Sequence, residues 1–357
     1  MKVRKMKKRK LKFNLNKKKL SIKKFNKRKN SSKSQIKYIC IKIIIIIFLI
    51  LLYLFQYFLL NLTEFSSYGI SFNQKMKDYL TKNFTILSRR DCWHCGLFSF
   101  YAVHLGCVNK TLTEGLIPII DMQSFRNKYN LGNLSFYNPW ESFFYQVNNY
   151  TLDEVKKYAK NLKYGPCSSF TRPDERFLYY DNDSIKFWRN IASKYMPIKK
   201  EILIEAKIIM KKLFGKSKNV LGVKLRGTDY LKKPKHHAVQ PRVEVVISDV
   251  KEMDKKYNYD FILFSTEDEN IKNKFVKNFV KKIKLLDPII PKTVVRKIKD
   301  LNEQSIKYLD YVKNYVLNMI IISKCLDLVA SRCGGTLGIY IFSKGFRHTK
   351  IYNLGLY

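Results

Sequence analysis

Three segments in the second half of this 357-residue chain end short apolar runs in residues able to hold phosphate. The first is Gly222-Val223-Lys224-Leu225-Arg226-Gly227-Thr228-Asp229-Tyr230, where Arg226 leaves a strand-like run and offers a planar, permanently charged fork suited to a diphosphate. The second, Ser265-Thr266-Glu267-Asp268, carries acceptors for a base or a ribose. The third, Ser331-Arg332-Cys333-Gly334-Gly335-Thr336, is a small-residue turn opening a helix, which presents backbone N–H groups and a positive dipole to an anion. A lone Arg after a strand is more often a surface ion pair. Three such ends in this order predict one ligand site built from Lys224, Arg226, Thr266, Asp268, Ser331, Gly334, Gly335 and Thr336.

Those side chains need strands to deliver them, and the surrounding pattern supplies strands alternating with helices. Strands are expected at 220–223, 261–265, 283–286, 326–330 and 350–352, with helices at 243–256, 270–282, 305–323 and 335–342. In the first half Gly96 precedes a run of helical length, Leu97 to Leu105, and Leu116 to Asp121 reads as a buried strand ending in a carboxylate. Asn138-Pro139-Trp140-Glu141 is turn-like, and 152–162 and 184–213 read as helical. This alternation predicts an α/β protein with two Rossmann-like, doubly wound domains facing one cleft, ligands lying at the carboxyl ends of the strands.

Ahead of them the composition changes. Residues 1–42 hold 19 Lys or Arg and no acid, and 43–60 are apolar or aromatic except for Gln56, long enough to cross a bilayer. A cleaved signal peptide would have a shorter apolar core and a small-residue cleavage site. The expectation is a basic cytoplasmic tail (1–42), a transmembrane signal anchor (43–62), a stem (63–88) and two folded domains (89–215 and 216–357). The positive-inside rule places residues 62–357 in a secretory lumen, the topology of a type II membrane protein, with the bilayer a partner through 43–62. Asn-x-Ser/Thr at Asn61, Asn83, Asn109, Asn133, Asn149 and Asn182 agrees with that route. So does an even set of cysteines beyond the span: Cys92, Cys95, Cys107, Cys167, Cys325 and Cys333. Cys92-Trp93-His94-Cys95 suits a structural disulfide better than a redox pair or half a zinc site, since no second CxxC follows.

After the tail, 50 of the 69 basic residues remain against 28 acidic ones. Over-use of Lys, Ile, Asn and Tyr together points to AT-rich coding as its main source, with a basic cleft for an anionic donor or polyanionic acceptor as the functional alternative. Aromatics interleaved with Arg, as in single-strand nucleic-acid grooves, are not evident, so no nucleic-acid partner is expected.

From Val220 onward the chain resembles the GDP-fucose transferases of the α-1,6- and protein-O-fucosyltransferase group, and more thinly so from residue 91. Leu225-Arg226-Gly227-Thr228-Asp229, His237-Ala238-Val239-Gln240, Ser265-Thr266-Glu267-Asp268 and Ala330-Ser331-Arg332-Cys333-Gly334 match that group's motifs in order, and Cys95-Gly96-Leu97-Phe98-Ser99 is similar to its first-half donor loop. Lys224 stands where the group has His, Gly227 where it has a second Arg, and Tyr230 to Pro234 lacks its acid. The resemblance implies a GT-B fold, inversion at the sugar carbon, no metal and no cofactor besides the donor, GDP-fucose or another nucleotide sugar. It puts Arg226 on the pyrophosphate, Asp268 near guanine, and Ser331 to Thr336 around the phosphates. The acceptor would be a glycan or glycoprotein, and the compartment the Golgi or a related one. An inverting transfer needs a base on the acceptor hydroxyl, for which Glu141 and Asp229 rank ahead of His237. Asp181-Asn182-Asp183 is the Asp-x-Asp beyond the span, and it does not end a strand. The alternative function is a non-catalytic, membrane-anchored carbohydrate- or polyanion-binding protein with the same fold.

Overall fold

The computed structural model describes residues 48, 51, 85–90, 95–124, 127, 129, 137–166, 172–173, 180–227, 230–286 and 301–357. The chain divides into two units, Met1–Met76 and Lys77–Tyr357. Of the expected span only Phe48 and Leu51, both helical, are described, and among the described residues no helix is long and apolar enough to cross a membrane. The second unit holds two parallel sheets.

The first sheet has strand order β2-β1-β3, from β1 (Thr85–Arg89), β2 (Ile117–Ile120) and β3 (Leu162–Pro166). Helix α1 (Leu97–Thr113) crosses from β1 to β2, and α2 (Leu152–Tyr158) precedes β3. The expected stem therefore ends before residue 85, because Thr85–Arg89 is the central strand. Its polar residues hid it: Ser88 is buried by pairing with the His104 imidazole at 2.7 Å. Likewise 152–162 is not one helix. The chain turns extended at Ala159, and Leu162 pairs with Thr85. Gly165 and Pro166, poor strand formers, are tolerated because β3 is an edge.

The stretch 184–213 also divides, into α3 (Asn182–Tyr195) and α4 (Lys200–Phe214), with Pro197 between them. The second sheet then runs as the pattern predicts. Strands β4 (Val220–Lys224), β5 (Phe261–Ser265), β6 (Ile283–Leu285), β7 (Asp327–Ser331) and β8 (Thr349–Tyr352) alternate with α5 (Val243–Tyr257), α6 (Glu269–Asn278), α7 (Leu301–Ile322) and α8 (Gly334–Phe342). All pairs are parallel, in the order β6-β5-β4-β7-β8. The three central strands β5, β4 and β7 are buried on both faces and so read as largely apolar runs, whereas the edge strands β6 and β8 are partly exposed. Leu221, Ile262, Phe264 and Val329 pack towards α5 and α6, while Val220, Leu263, Leu328 and Ala330 belong to a core containing α7, α8 and α1.

That second core joins the two sheets. The ring of Phe98 on α1 packs edge-on against Tyr315 and Phe342, at 5.5 and 5.7 Å, and lies where a side chain on Gly338 of α8 would go. Gly338→Ala is expected to lower stability by about 1–3 kcal/mol through overpacking, against the roughly 1 kcal/mol that Ala gains over Gly in a helix. Adding Phe98→Leu should recover part of the loss. Urea unfolding of the two variants checks this, and a stabilised Gly338→Ala would mean that α1 and α8 do not pack so closely.

Candidate functional site

Sequential strands of the five-stranded sheet run outward from β4 to β5 and β6, then return to β7 on the other side of β4. Loops leaving the carboxyl ends of β4 and β7 therefore diverge and open a crevice, the place where doubly wound sheets bind ligands. The loop after β4 carries Arg226, and the turn after β7 carries Ser331 to Thr336. Both belong to one hydrogen-bonded group, since the Arg226 backbone N–H donates to Ser331 Oγ at 3.1 Å. Thr336, fully buried, donates its hydroxyl to the Ser331 carbonyl at 2.6 Å and fixes the turn that opens α8. Gly334 and Gly335 give that turn its closeness. A Cβ on Gly334 would stand 3.4 Å from the Cβ of Phe98, and one on Gly335 would overlap the Tyr315 hydroxyl.

The contact at Gly334 also places the start of α1 beside the start of α8, so Gly96, which precedes α1, comes to the same region. Two helix N-termini thus lie side by side, each presenting its positive end. Arg90 adds charge there. Its guanidinium donates to Ser99 Oγ at 2.9 Å and to the Ser99 carbonyl, and burial together with Arg172 lowers its pKa to about 10. Tyr129, donating to the Cys95 carbonyl at 3.2 Å, is within electrostatic reach of both Arg90 and Arg226. Residues of both sheets therefore meet around Arg226.

Glu267, which the sequence reading passed over for its neighbours, ties the site together. Its Oε2 accepts from the fully buried Lys224 Nζ at 3.0 Å; its Oε1 accepts from Arg226 Nε and from the Gly227 backbone N–H, each at 3.1 Å. Burial alone would raise its pKa, but Lys224 and Arg226 outweigh that and hold the carboxyl at about 2. Lys224 also donates to the Leu225 carbonyl at 3.0 Å and lies 5.9 Å from the Tyr315 ring centre. Gly227 is small for a reason visible here, since a Cβ would collide with Asp268. Asp268 caps α6, its Oδ1 accepting from Asn270 and Ile271 N–H at 3.0 and 3.1 Å, while Thr266 Oγ1 accepts from Asp268 N–H at 3.2 Å. A signal for Glu267 existed: a Lys inside the apolar run 220–225 requires a buried anion.

Two of the three candidate bases, His237 and Glu141, are described. His237 belongs to the Arg226 neighbourhood: its exposed ring meets Tyr230 edge-on at 5.2 Å, and Tyr230 lies 5.2 Å from the Arg226 guanidinium. Glu141 belongs to another hydrogen-bonded group, where one oxygen accepts from Asn138 Nδ2, Gln146 Nε2 and Leu152 N–H at 3.0, 3.0 and 2.8 Å. It lines a cavity of about 300 Å³ with Tyr137, Asp153 and Lys199. Asp229 lies outside the described residues. So do Cys92 and Cys167; Cys95 and Cys107 are disulfide-bonded, whereas Cys325 and Cys333 are free and buried, so the six cysteines expected to pair do not all do so. Among the described residues no three His, Cys, Asp or Glu side chains gather as a metal site would require.

Glu267→Gln leaves Lys224 buried without its counter-charge and should cost about 3–5 kcal/mol. Because the folded pKa is depressed, the stabilisation is present above the ordinary value near 4.5 and is lost as pH falls from there to about 2. Chemical unfolding between pH 6 and pH 3 should therefore show the wild type converging on Glu267→Gln. Parallel pH profiles would exclude the triad as the source.

No family model matches the chain, and no curated protein matches it. Among solved structures the chain is similar to the fucosyltransferase NodZ from Bradyrhizobium, at 12% identity and a TM-score of 0.47 over 74% of this chain and 94% of that one. It is similar also to the α-1,6-fucosyltransferase NodZ soaked with GDP-fucose, at 11% identity and a TM-score of 0.42 over 74% and 93% of the two chains. A third likeness is to POFUT1 in complex with GDP-fucose, at 8% identity and a TM-score of 0.41 over 76% and 98%.

Proposed function

We propose that this chain is a glycosyltransferase that takes its sugar from a nucleoside-diphosphate donor, GDP-fucose, and passes it to a glycan or glycoprotein hydroxyl with inversion. One observation carries the reading: at the reversal point of the five-stranded sheet, the loop bearing Arg226 and the Gly334-Gly335 turn are joined by the 3.1 Å bond from Arg226 N–H to Ser331 Oγ. That combination, a guanidinium beside a helix N-terminus too close-packed for side chains, suits a diphosphate and charge building on a departing nucleotide. The order of the motifs from Val220 onward supports guanosine and fucose.

In this mechanism Arg226 and the first turn of α8 take up the negative charge of the leaving diphosphate. Glu267 holds the guanidinium through Nε, as Lys224 holds Glu267. The proton of the acceptor hydroxyl goes to a base, and among the described residues His237, next to Tyr230, is the candidate on the loop that carries Arg226. The reaction proceeds without a metal or a resident cofactor. Supporting this, Glu267 is neutralised by two cations and one Asp268 oxygen caps a helix, which leaves these carboxylates poorly suited to a divalent cation. The basic residues 1–42 and apolar residues 43–62 fit a type II anchor in the Golgi or a related compartment, with the bilayer as a partner and residues 63–357 lumenal.

A non-catalytic carbohydrate- or polyanion-binding protein with the same fold is the second reading. It is favoured by Glu141, ranked with Asp229 ahead of His237, whose Oε1 already accepts three hydrogen bonds. Sugar release from GDP-fucose, with and without acceptor glycans, separates the two.

Arg226→Lys keeps the charge but loses the fork and should be severely impaired, while Arg226→Ala should lower turnover by about 10²- to 10³-fold. Glu267 keeps Lys224 in both variants, so the thermal midpoint should fall by only a few degrees. Near-normal turnover of Arg226→Ala would remove it from the donor site, and a collapse of the midpoint would assign it a structural role. Excess chelator is expected to leave turnover intact; loss of turnover restored by manganese would refute the metal-free mechanism.

A further inference from the structure

The loop that brings Tyr230 and His237 beside Arg226 is turned by local backbone bonds, from the N–H groups of Tyr230, Lys233 and His237 to the carbonyls of Gly227, Tyr230 and Pro234. Lys233 and His236, neither of them glycine, adopt φ of 50° and 66°, a region such residues enter at a cost in conformational energy. His237 is exposed, and between residues 233 and 237 none is buried. The loop also has a backbone partner from the far end of the sheet. After β8 the chain returns as 353–357 and pairs antiparallel with 236–239. His236 N–H donates to the Tyr357 carbonyl at 3.1 Å, Tyr357 N–H to the His237 carbonyl at 3.0 Å, and Val239 N–H to the Gly355 carbonyl at 3.0 Å, with Ala238 opposite Leu356.

The same strap reaches the phosphate turn. Arg332 in that turn donates its backbone N–H to the Tyr352 carbonyl at 3.2 Å and its guanidinium to Asn353 Oδ1 at 3.0 Å. From the loop side, Gln240 Nε2 donates to the Arg332 carbonyl at 3.2 Å. Residues 353–357 therefore link two loops that leave different strands, β4 and β7, and flank Arg226. Leu354 and Leu356 are about half exposed, at 54% and 53%, so the strap is held by hydrogen bonds rather than by apolar burial. A small cooperative unit of that kind opens at low energy and is readily stabilised by a ligand that touches what it holds.

We infer that residues 353–357 are a positioning element of the nucleotide-diphosphate site: they set the loop 230–240 against Arg226 and couple it to the turn at Arg332, so that ligand binding and strap pairing reinforce each other. This rests on the donor-site reading above. Gly355, at φ 91°, is the hinge of the strap, and a β-branched residue there cannot hold that backbone conformation.

The test uses the full-length chain with GDP as the probe, followed by amide hydrogen exchange and calorimetric titration. In the wild type, GDP should slow exchange both at 234–240 and at 353–357. In Gly355→Val the amides of His236, Val239 and Tyr357 should exchange at least about tenfold faster without ligand, and the Kd for GDP should rise about tenfold. KM for the donor should rise and kcat should fall with it, because the released loop also carries His237, the base of the mechanism. Asn353→Ala, which only releases Arg332, should give a smaller shift in the same direction and guards against a Gly355→Val chain that fails to fold. If wild type and both variants bind GDP alike, or if 234–240 stays protected when the strap is broken, the inference is overturned. If the wild type does not bind GDP at all, the donor-site reading falls instead, and the ligand-free exchange still decides whether the strap holds the loop.

Discussion

A lysine at the end of a central strand is costly to bury unless an anion meets it, and Glu267 meets Lys224 at 3.0 Å. The arrangement of the site follows from this pair. Glu267 comes from the end of β5 and Lys224 from the end of β4, so satisfying one charge fixes the relation of two strand ends. The carboxylate has a second oxygen to satisfy, and it takes the Arg226 guanidinium and the Gly227 N–H. One anion facing two cations leaves the locality positive. It also leaves Arg226 with its direction already fixed, so ordering it need not draw on the binding energy of a ligand. Where the resembling transferases carry a histidine and a second arginine, this chain has Lys224 and Gly227. The glycine is required by the close approach of Asp268, and the lysine keeps Glu267 ionised.

The crevice above this triad comes from strand order rather than from any residue. With β4 central and β7 on the side away from β5, the loops after β4 and β7 must part. Small residues then bring the rest to the gap. Gly334, Gly335 and Gly338 let α8 lie against α1 and α7, which carries Gly96 and Arg90 of the first sheet to the same mouth. Larger residues on that face of α8 would separate the helices and, with them, the two positive helix ends.

How much of this the sequence discloses depends on whether a residue's partner is near or far. The five-stranded sheet was legible because its central strands β5, β4 and β7 are buried on both faces and read as largely apolar runs. The first sheet was less so: β1 carries Thr85 and Ser88, polar residues buried by long-range packing and by His104, and β3 ends in Gly165-Pro166. At the site, Arg226 and the Ser331–Thr336 turn were visible as types following strands. Glu267 was not chosen over Asp268 because the two follow β5 side by side, and only the folded loop shows that Glu267 meets Lys224 and Arg226 while Asp268 caps α6. What Glu141 bonds to is likewise shown only by the fold. A carboxylate after Trp140 looks available until Asn138, Gln146 and Leu152 are seen to converge on it.

Net charge shows the same contrast between global and local quantities. Beyond the tail the chain holds 50 basic residues against 28 acidic ones, yet many of these cations neutralise a neighbour at the surface. Lys272 pairs with Glu269, Lys274 with Glu244, Lys282 with Asp254, Lys313 with Glu205 and Lys350 with Asp249, partly exposed pairs that solvent screens and that direct no ligand. At the crevice the balance differs: Lys224 and Arg226 share one carboxylate, and Arg90 has Arg172 as its charged neighbour. Burial there weakens screening, so a few charges create a field that the scattered lysines do not. An anion entering the crevice would offset the burial and the Arg172 repulsion that lower the pKa of Arg90 and would supply charge that Glu267 alone cannot. The excess that matters for function is therefore the local one at the strand ends, and it would remain if the surface lysines were balanced by acids.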